Sequence, residues 1–332
     1  MYKLIGRKSV IAPATVFVIC FILLVPNIIA VRLHQTDDPT DVPSTQSEDD
    51  WYYLPSYPNY APMGMPDFDQ KQDTRWQSTW GWSFCAPAAL ADVLWWFDSK
   101  HSDPNGTPGD GVDEYPLVSD YHAPGPPDPG PSADDHAFNN VNDDETTWDG
   151  TAGSGKEFIE RLAWYTNTNF CRSLFFPKIS GTTLFNLKRG TTLWLRDAGL
   201  QSQYKIEIIT KPSFSLINER VRQNQGVLLR LIFYLPSDIM KFLPKIAKLS
   251  YHYVAVAGIS SNGYIAVSDP EWDVANSCKD PMLHNNASIV SHDVYQVNFT
   301  SPYPYLGSWW IPTYASHRRV VITHAVIISE KE

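Results

Sequence analysis

The sequence predicts an α+β fold: a helical half that carries a cysteine at a helix N-terminus, and an antiparallel-sheet half that carries a histidine and an aspartate. Three observations lead there. Residues 76–98 change from a Trp/Gly-rich loop to a helical pattern at Cys85. Residues 250–270 read as strand, turn and strand, with His252 opening the first strand and Asp269 following the second. The chain between them mixes helical and strand periods without an internal repeat, and 332 residues suffice for one substantial core after the N-terminal segment is set aside.

Taken in order, the first element is a targeting segment at 1–31. Lys3, Arg7 and Lys8 precede an apolar run at 10–31, broken only by Pro13, Thr15, Pro26 and Asn27. The run matches the ~20 residues that span a bilayer, and the basic flank predicts the N-terminus inside and the remainder outside. Ala30 can also end a cleavable signal peptide, although an h-region is shorter, about 7–15 residues. The expectation is a membrane anchor, or secretion if the segment is cleaved. Its removal takes three bases and no acids, so the exported part carries −13 (23 − 36). Residues 32–65 form an acidic Pro/Ser/Thr stalk and lead-in, too polar at first to fold alone; Trp51, Tyr52, Tyr53 and Leu54 then look like material that packs on a domain, placed at 66–332.

At Cys85 the helix begins. Ala86, Ala89, Leu90, Val93 and Phe97 suit its buried face, and Pro87 suits a first turn. The unpaired N–H groups and dipole at such an end favour an anion, which suits a nucleophilic thiolate. Taken alone, a cysteine before a helix is more often structural.

Residues 101–150 hold twelve acidic residues, eight prolines and no Lys or Arg. A loop of this length inside a domain is functional or disordered. Asp103, Asn105, Asp110, Asp113 and Glu114 offer oxygen ligands for Ca²⁺, but not at EF-hand spacing, so a solvated acidic insert is preferred. His122 and His136 have no zinc-spaced partners. No other metal or cofactor is expected.

Helices are predicted at 156–166 (Phe158, Leu162, Ala163 and Tyr165 on one face), at 182–200 (Leu184, Leu187, Leu193, Leu195, ending near Gly199) and from Pro212 (Phe214, Leu216, Ile217, Val221 inward). Strands are predicted at 204–209, 227–233, 290–299 and 320–329. His252 opens an apolar strand at 253–259, Ser261-Asn262-Gly263 is a hairpin turn, and the strand at 264–267 delivers Asp269. Across such a hairpin Asp269 can orient the imidazole of His252 and aim its other nitrogen at Cys85. His324, in the last strand, has no following strand and acid and reads as structural.

Cys85-Ala-Pro-Ala-Ala at a helix start, His252-Tyr-Val-Ala-Val-Ala-Gly on a strand and Ser-Asp269-Pro after the next strand resemble the cysteine peptidases that process double-glycine leaders of bacteriocins, and more broadly the papain-like superfamily. The run Leu94-Trp-Trp-Phe-Asp-Ser-Lys100 resembles uncharacterised secreted archaeal and bacterial proteins of that peptidase-like group. The resemblance covers about residues 66–270 and implies a papain-like fold with Cys85 as nucleophile, His252 as general base and Asp269 as orienting acid. It also implies a glutamine oxyanion donor ahead of the cysteine. Gln77 is nearest, eight positions away (85 − 77), with Gln70 and Gln72 as substitutes. Where these families often place a glycine after the cysteine, this chain has Ala86.

The function expected is an exported cysteine peptidase-like hydrolase acting on peptide or amide bonds of a peptide or protein through a thioester. The same three groups suit a transpeptidase or transglutaminase-like acyltransferase. Ala86 and the glutamine spacing fit a papain-like surface protein that has lost activity. A net charge of −10 without a basic stripe argues against nucleic acid, and no phosphate-binding loop or dinucleotide fingerprint occurs. Outside the apolar run three cysteines remain; Cys171 and Cys278 are expected either to form a disulfide that leaves Cys85 free, or to be buried thiols. Sequons at Asn105, Asn286 and Asn298 are compatible with export.

Overall fold

The computed structural model describes residues 50–57, 64–68, 70, 83–101, 115, 117–118, 158–170, 180–234, 251–271, 292–302, 304–315 and 318–331, all within the unit Glu48–Glu332. The apolar run at 10–31, Cys171, Cys278, Gln72, Gln77, the calcium candidates and two sequons lie outside these residues. Among the described residues no helix is long and apolar enough to cross a membrane, and no cluster of metal-ligating side chains occurs.

The architecture is α+β. Strands β1 (Trp51–Tyr53), β2 (Tyr204–Thr210), β3 (Gly226–Tyr234), β4 (Tyr251–Ser260), β5 (Tyr264–Ser268), β6 (Asp293–Gln296), β7 (Trp310–Tyr314) and β8 (Arg318–Glu330) join one sheet in the order β2-β8-β3-β4-β5-β6. β1 adds to β4 and β7 to β8, and every pairing is antiparallel. Helices α1 (Cys85–Lys100), α2 (Phe158–Tyr165), α3 (Leu184–Asp197) and α4 (Phe214–Arg222) pack around it. Thr183 and Ser213 cap α3 and α4, their hydroxyls accepting from the N–H of Asn186 and Leu216 at 3.1 Å, and Gly199 ends the α3 region at φ +76°.

α1 differs from the one-faced helix that its apolar spacing predicts. Every residue from Cys85 to Ser99 is buried, and only Lys100 is exposed. The cause is cover on all sides: β3 and β4 beneath, α2 beside it, and the lead-in across its back. Phe68 packs edge-on against Trp95 at 5.5 Å, and Trp96 Nε1 donates to Pro55 O at 2.9 Å. Where α1 crosses β3, Gly226 leaves no room for a Cβ, which would meet Val93 and Phe97.

The folded body starts earlier than residue 66. Trp51–Tyr53 pairs with Gly258–Ser260, so part of the lead-in is an edge strand of the sheet. Asp50 supplies the reason: its carboxylate accepts from Ser260 Oγ and Ser261 Oγ at 2.6 Å and from Asn262 N at 2.9 Å, capping the β4–β5 turn. β6 is shorter than the predicted 290–299, because Asn298 leaves β5 to bridge Trp310. β7 carries Pro312 and escapes a pattern search; it lies on an edge, where a missing N–H is tolerated.

Candidate active site

Cys85 is the first residue of α1, and the preceding Phe84 makes no side-chain cap hydrogen bond to that turn. Ser83 is anchored by its hydroxyl to Asn169 Oδ1 at 2.8 Å, which fixes the entry to the helix. The thiol is buried, 7% exposed, and is the free cysteine among the described residues.

His252 is the second residue of β4, opposite Leu231 of β3. Its Nε2 lies 2.6 Å from Asp269 Oδ1, and the Cys85 thiol is close enough to raise the imidazole's pKa. Since Asp269 takes Nε2, Nδ1 is the ring nitrogen left for the thiol. The imidazole thus connects the two groups that the sequence placed on either side of it.

The route from Asp269 to His252 is diagonal. From the turn, Ser260, Ile259 and Gly258 face Tyr264, Ile265 and Ala266; then Ala257 bulges, and Val256 and Ala255 face Val267 and Ser268. Continuing that register sets Asp269 level with Val254, on the same side of the sheet as His252 two residues away. In an unbulged hairpin Asp269 would stand level with Ala255, on the other side, because side chains alternate at each step.

Electrostatics favour a charged pair. Burial pulls the His252 pKa down, but the adjacent Asp269 charge, its hydrogen bond and Cys85 outweigh this and hold it well above the ordinary histidine value. Asp269 is buried too, which raises its pKa; the His252 charge, the His252 and Tyr314 hydrogen bonds and the Glu271 N–H outweigh that and keep it below the ordinary value. Tyr314 Oη donates to Oδ2, and Glu271 N donates to Oδ1 at 3.0 Å. Tyr295 stacks on Tyr314 with ring centroids 4.7 Å apart and donates to Asp293 Oδ2 at 3.0 Å.

Sequence reasoning missed Tyr314, which lies on the unrecognised β7, and a second carboxyl, Asp92, two turns after Cys85 on α1. Asp92 is fully buried; burial pushes its carboxyl well above the usual range, against the pull of a hydrogen bond from Phe68 N (2.9 Å), and Asp269 pushes it further. A lone acid in an apolar helical run was the available signal. Gln70, a substitute oxyanion donor, is buried with its backbone N–H bonded to Pro270 O at 2.8 Å, while its Oε1 has no hydrogen-bond partner among the described residues. Phe68 and Gln70 thus tie α1, through Asp92, to the loop that carries Asp269. His324 lies on β8 level with Arg230 of β3, apart from the Cys85–His252–Asp269 line, and its Nδ1 is 3.1 Å from Thr323 Oγ1.

No protein-family model matches the sequence, and no curated protein matches it. Among solved structures the chain is distantly similar to the active wild-type interpain A cysteine protease of Prevotella intermedia. Identity is 13% and the TM-score 0.38, over 83% of this chain and 98% of that one.

Proposed function

We propose that this chain is a papain-like cysteine peptidase, a thiol hydrolase exported or anchored by its N-terminal apolar run, in which Cys85 is the nucleophile, His252 the general base and Asp269 the orienting acid. The observation that carries the reading is the buried His252 imidazole, held at 2.6 Å by Asp269 and with the Cys85 thiol, at a helix start, near enough to raise its pKa. A buried acid, imidazole and thiol in line form an activated nucleophile.

In the first half-reaction His252 takes the Cys85 proton as Sγ bonds to a peptide carbonyl carbon, and the carbonyl oxygen becomes an oxyanion. The Cys85 N–H, at the positive end of α1, donates to that oxygen, and Gln77 is the proposed second donor; one such donor contributes on the order of 3 kcal/mol. The tetrahedral species collapses, the C–N bond breaks, and His252 returns its proton to the leaving amine. In the second, His252 removes a proton from water, the hydroxide attacks the thioester, and the thiol leaves as product acid forms. Asp269 keeps its charge throughout and holds Nε2, so that Nδ1 stays turned to sulfur.

A thiol-reactive peptidyl probe tests this. The wild type should form one covalent adduct, mapped to Cys85 by mass spectrometry; an adduct confined to another cysteine removes the reading. The anchor is tested separately. External protease should digest residues 51–332 on intact cells, and full protection without permeabilisation would contradict export.

A further inference from the structure

We propose that Asp92 is a positioning residue for the Cys85–His252–Asp269 site: in its neutral acid form it clamps the helix that carries the thiol to the loop that carries the orienting acid, and its ionisation loosens that clamp. The proposal rests on the hydrolase reading above.

The clamp runs through the backbone. Asp92 stands seven residues after Cys85 on α1 (92 − 85), two turns within about 20°, so both side chains rise from one stripe of the helix about 10 Å apart along its axis. Its Oδ1 accepts from Phe68 N at 2.9 Å, and the Phe68 ring packs edge-on against Trp95 at 5.5 Å. Just beyond Phe68, Gln70 N donates to Pro270 O at 2.8 Å. That carbonyl belongs to the same peptide unit as the Glu271 N–H, which donates to Asp269 Oδ1 at 3.0 Å. A peptide unit is planar, so a grip on its oxygen also fixes its N–H. Oδ1 is the oxygen that lies 2.6 Å from His252 Nε2. Asp92, Phe68, Gln70 and the Pro270–Glu271 peptide therefore link the thiol's helix to the carboxylate that holds the imidazole.

Charge decides which acid of this relay keeps a proton. Asp92 is fully buried, and burial pushes its carboxyl well above the usual range; the Phe68 N–H pulls the other way, and the Asp269 charge pushes it further up. The elements packed on α1 carry other titratable groups: Asp67 of the lead-in, Glu160 of α2, Arg230 of β3, His252 and Tyr253 of β4, and Cys85 and Asp98 of α1 itself, while the charges of α3 are exposed. Among the described residues Asp269 is the group whose charge bears on Asp92. Asp269 cannot take up a proton without releasing a charged His252, so Asp92 is the member of the pair that stays neutral. Once Asp92 ionises, two like charges share one dry space. The relief is for water to enter, which parts the lead-in from α1. The relay then slackens at its first bond, and the Pro270–Glu271 peptide loses the support that aims Asp269 at the ring. An amide at this position would clamp at every pH; an acid makes the clamp conditional on its proton.

The test uses the full chain and compares wild type with Asp92→Asn, a neutral isostere that still accepts from Phe68 N, and with Asp92→Ala, which cannot. The second-order rate of Cys85 labelling by the peptidyl probe is followed from about pH 4 to about pH 9. On the acid side Asp92→Asn should label within about threefold of wild type, and Asp92→Ala about tenfold more slowly, the loss expected of a misaimed site. On the alkaline side wild-type labelling should fall first, with the fall of Asp92→Asn at least about one pH unit higher. Superimposable alkaline limbs assign the fall to His252 and overturn the proposal. In an Asp269→Asn background Asp92→Ala should cost less than about twofold, because the carboxylate it helps to aim is gone. A full tenfold loss there makes Asp92 merely structural and overturns the proposal. Thermal unfolding gives a readout without catalysis. The folded pKa of Asp92 lies above its unfolded value, near 3.8, so over that interval the folded chain holds a proton that the unfolded chain releases. Wild type therefore loses stability as pH rises from 3.8 and Asp92→Asn does not. The Tm of Asp92→Asn should exceed that of wild type by a margin that widens with pH; a lower Tm, or a margin independent of pH, overturns the proposal. Absence of wild-type labelling alongside the widening margin would instead count against the hydrolase reading alone.

Discussion

Tyr314 donates its phenolic hydrogen to Oδ2 of Asp269, the oxygen that His252 leaves unused. The acid of the site is therefore gripped from β4 and from β7 together. Tyr314→Phe should destabilise the protein by about 1–3 kcal/mol, the cost of leaving a buried acceptor short of a donor. The sign of its pH dependence follows from the lowered Asp269 pKa. That group adds stability which is present above its unfolded value, near 3.8, and is lost as pH falls through the folded value. Removing the donor moves the folded value up, so urea unfolding should show the wild-type advantage shrinking as pH is taken below 3.8.

Cys85→Ala and His252→Ala should each abolish adduct formation with the peptidyl probe, and Asp269→Asn should weaken it less, since orienting the ring is the secondary role. His324 gives the contrast: with iodoacetamide, which occupies no subsite, His324→Ala should label at the wild-type rate. If His324→Ala stops labelling and His252→Ala does not, the base has been assigned to the wrong strand.

Gly226→Ala should act at a distance. Its new methyl meets Val93 and Phe97 at the crossing of α1 and β3. Overpacking of this kind costs about 1–3 kcal/mol. Because α1 carries Cys85 at its far end, labelling should slow as well, measured as the second-order rate of adduct formation. A variant of unchanged Tm and unchanged rate would show that the crossing does not set the position of the thiol.

His292 sets an acid limit. It is packed against Tyr53, rings 6.4 Å apart, and 3.3 Å from Ser268 Oγ, and burial pushes its pKa down to about 4. A histidine depressed in the fold adds stability that is full above the unfolded value, about 6.5, and drains as pH falls toward 4. The unfolding free energy should therefore decline across pH 6.5–4 with a slope of up to one proton, and His292→Gln should flatten that slope.

Much of this was legible in the sequence because it rested on local rules. Cys85, Pro87 and the apolar spacing after them marked α1, and Ser261-Asn262-Gly263 marked the turn of the β4–β5 hairpin, where Gly263 takes φ +87°. What was not legible depends on counting across strands or on distant packing. The one local signal for the bulge at Ala257 is the adjacent Gly258, and without using it a hairpin counted from its turn puts Asp269 level with Ala255 and on the wrong side of the sheet. Tyr314 follows Pro312 on an edge strand with no period to reveal it. The all-round burial of α1 was hidden because its covers come from segments far away in the chain.

The sheet order carries a consequence for how the protein is made. β8 follows every other described strand in the chain, yet it lies between β2 and β3 and is bonded along both edges. While a ribosome is still producing the earlier strands, β2 and β3 have no route to each other, and the loop they must close is dominated by non-local pairing, a slow kind of assembly. A polypeptide arrested before residue 318 would present two bare strand edges, on β2 and β3, to chaperones and to its neighbours.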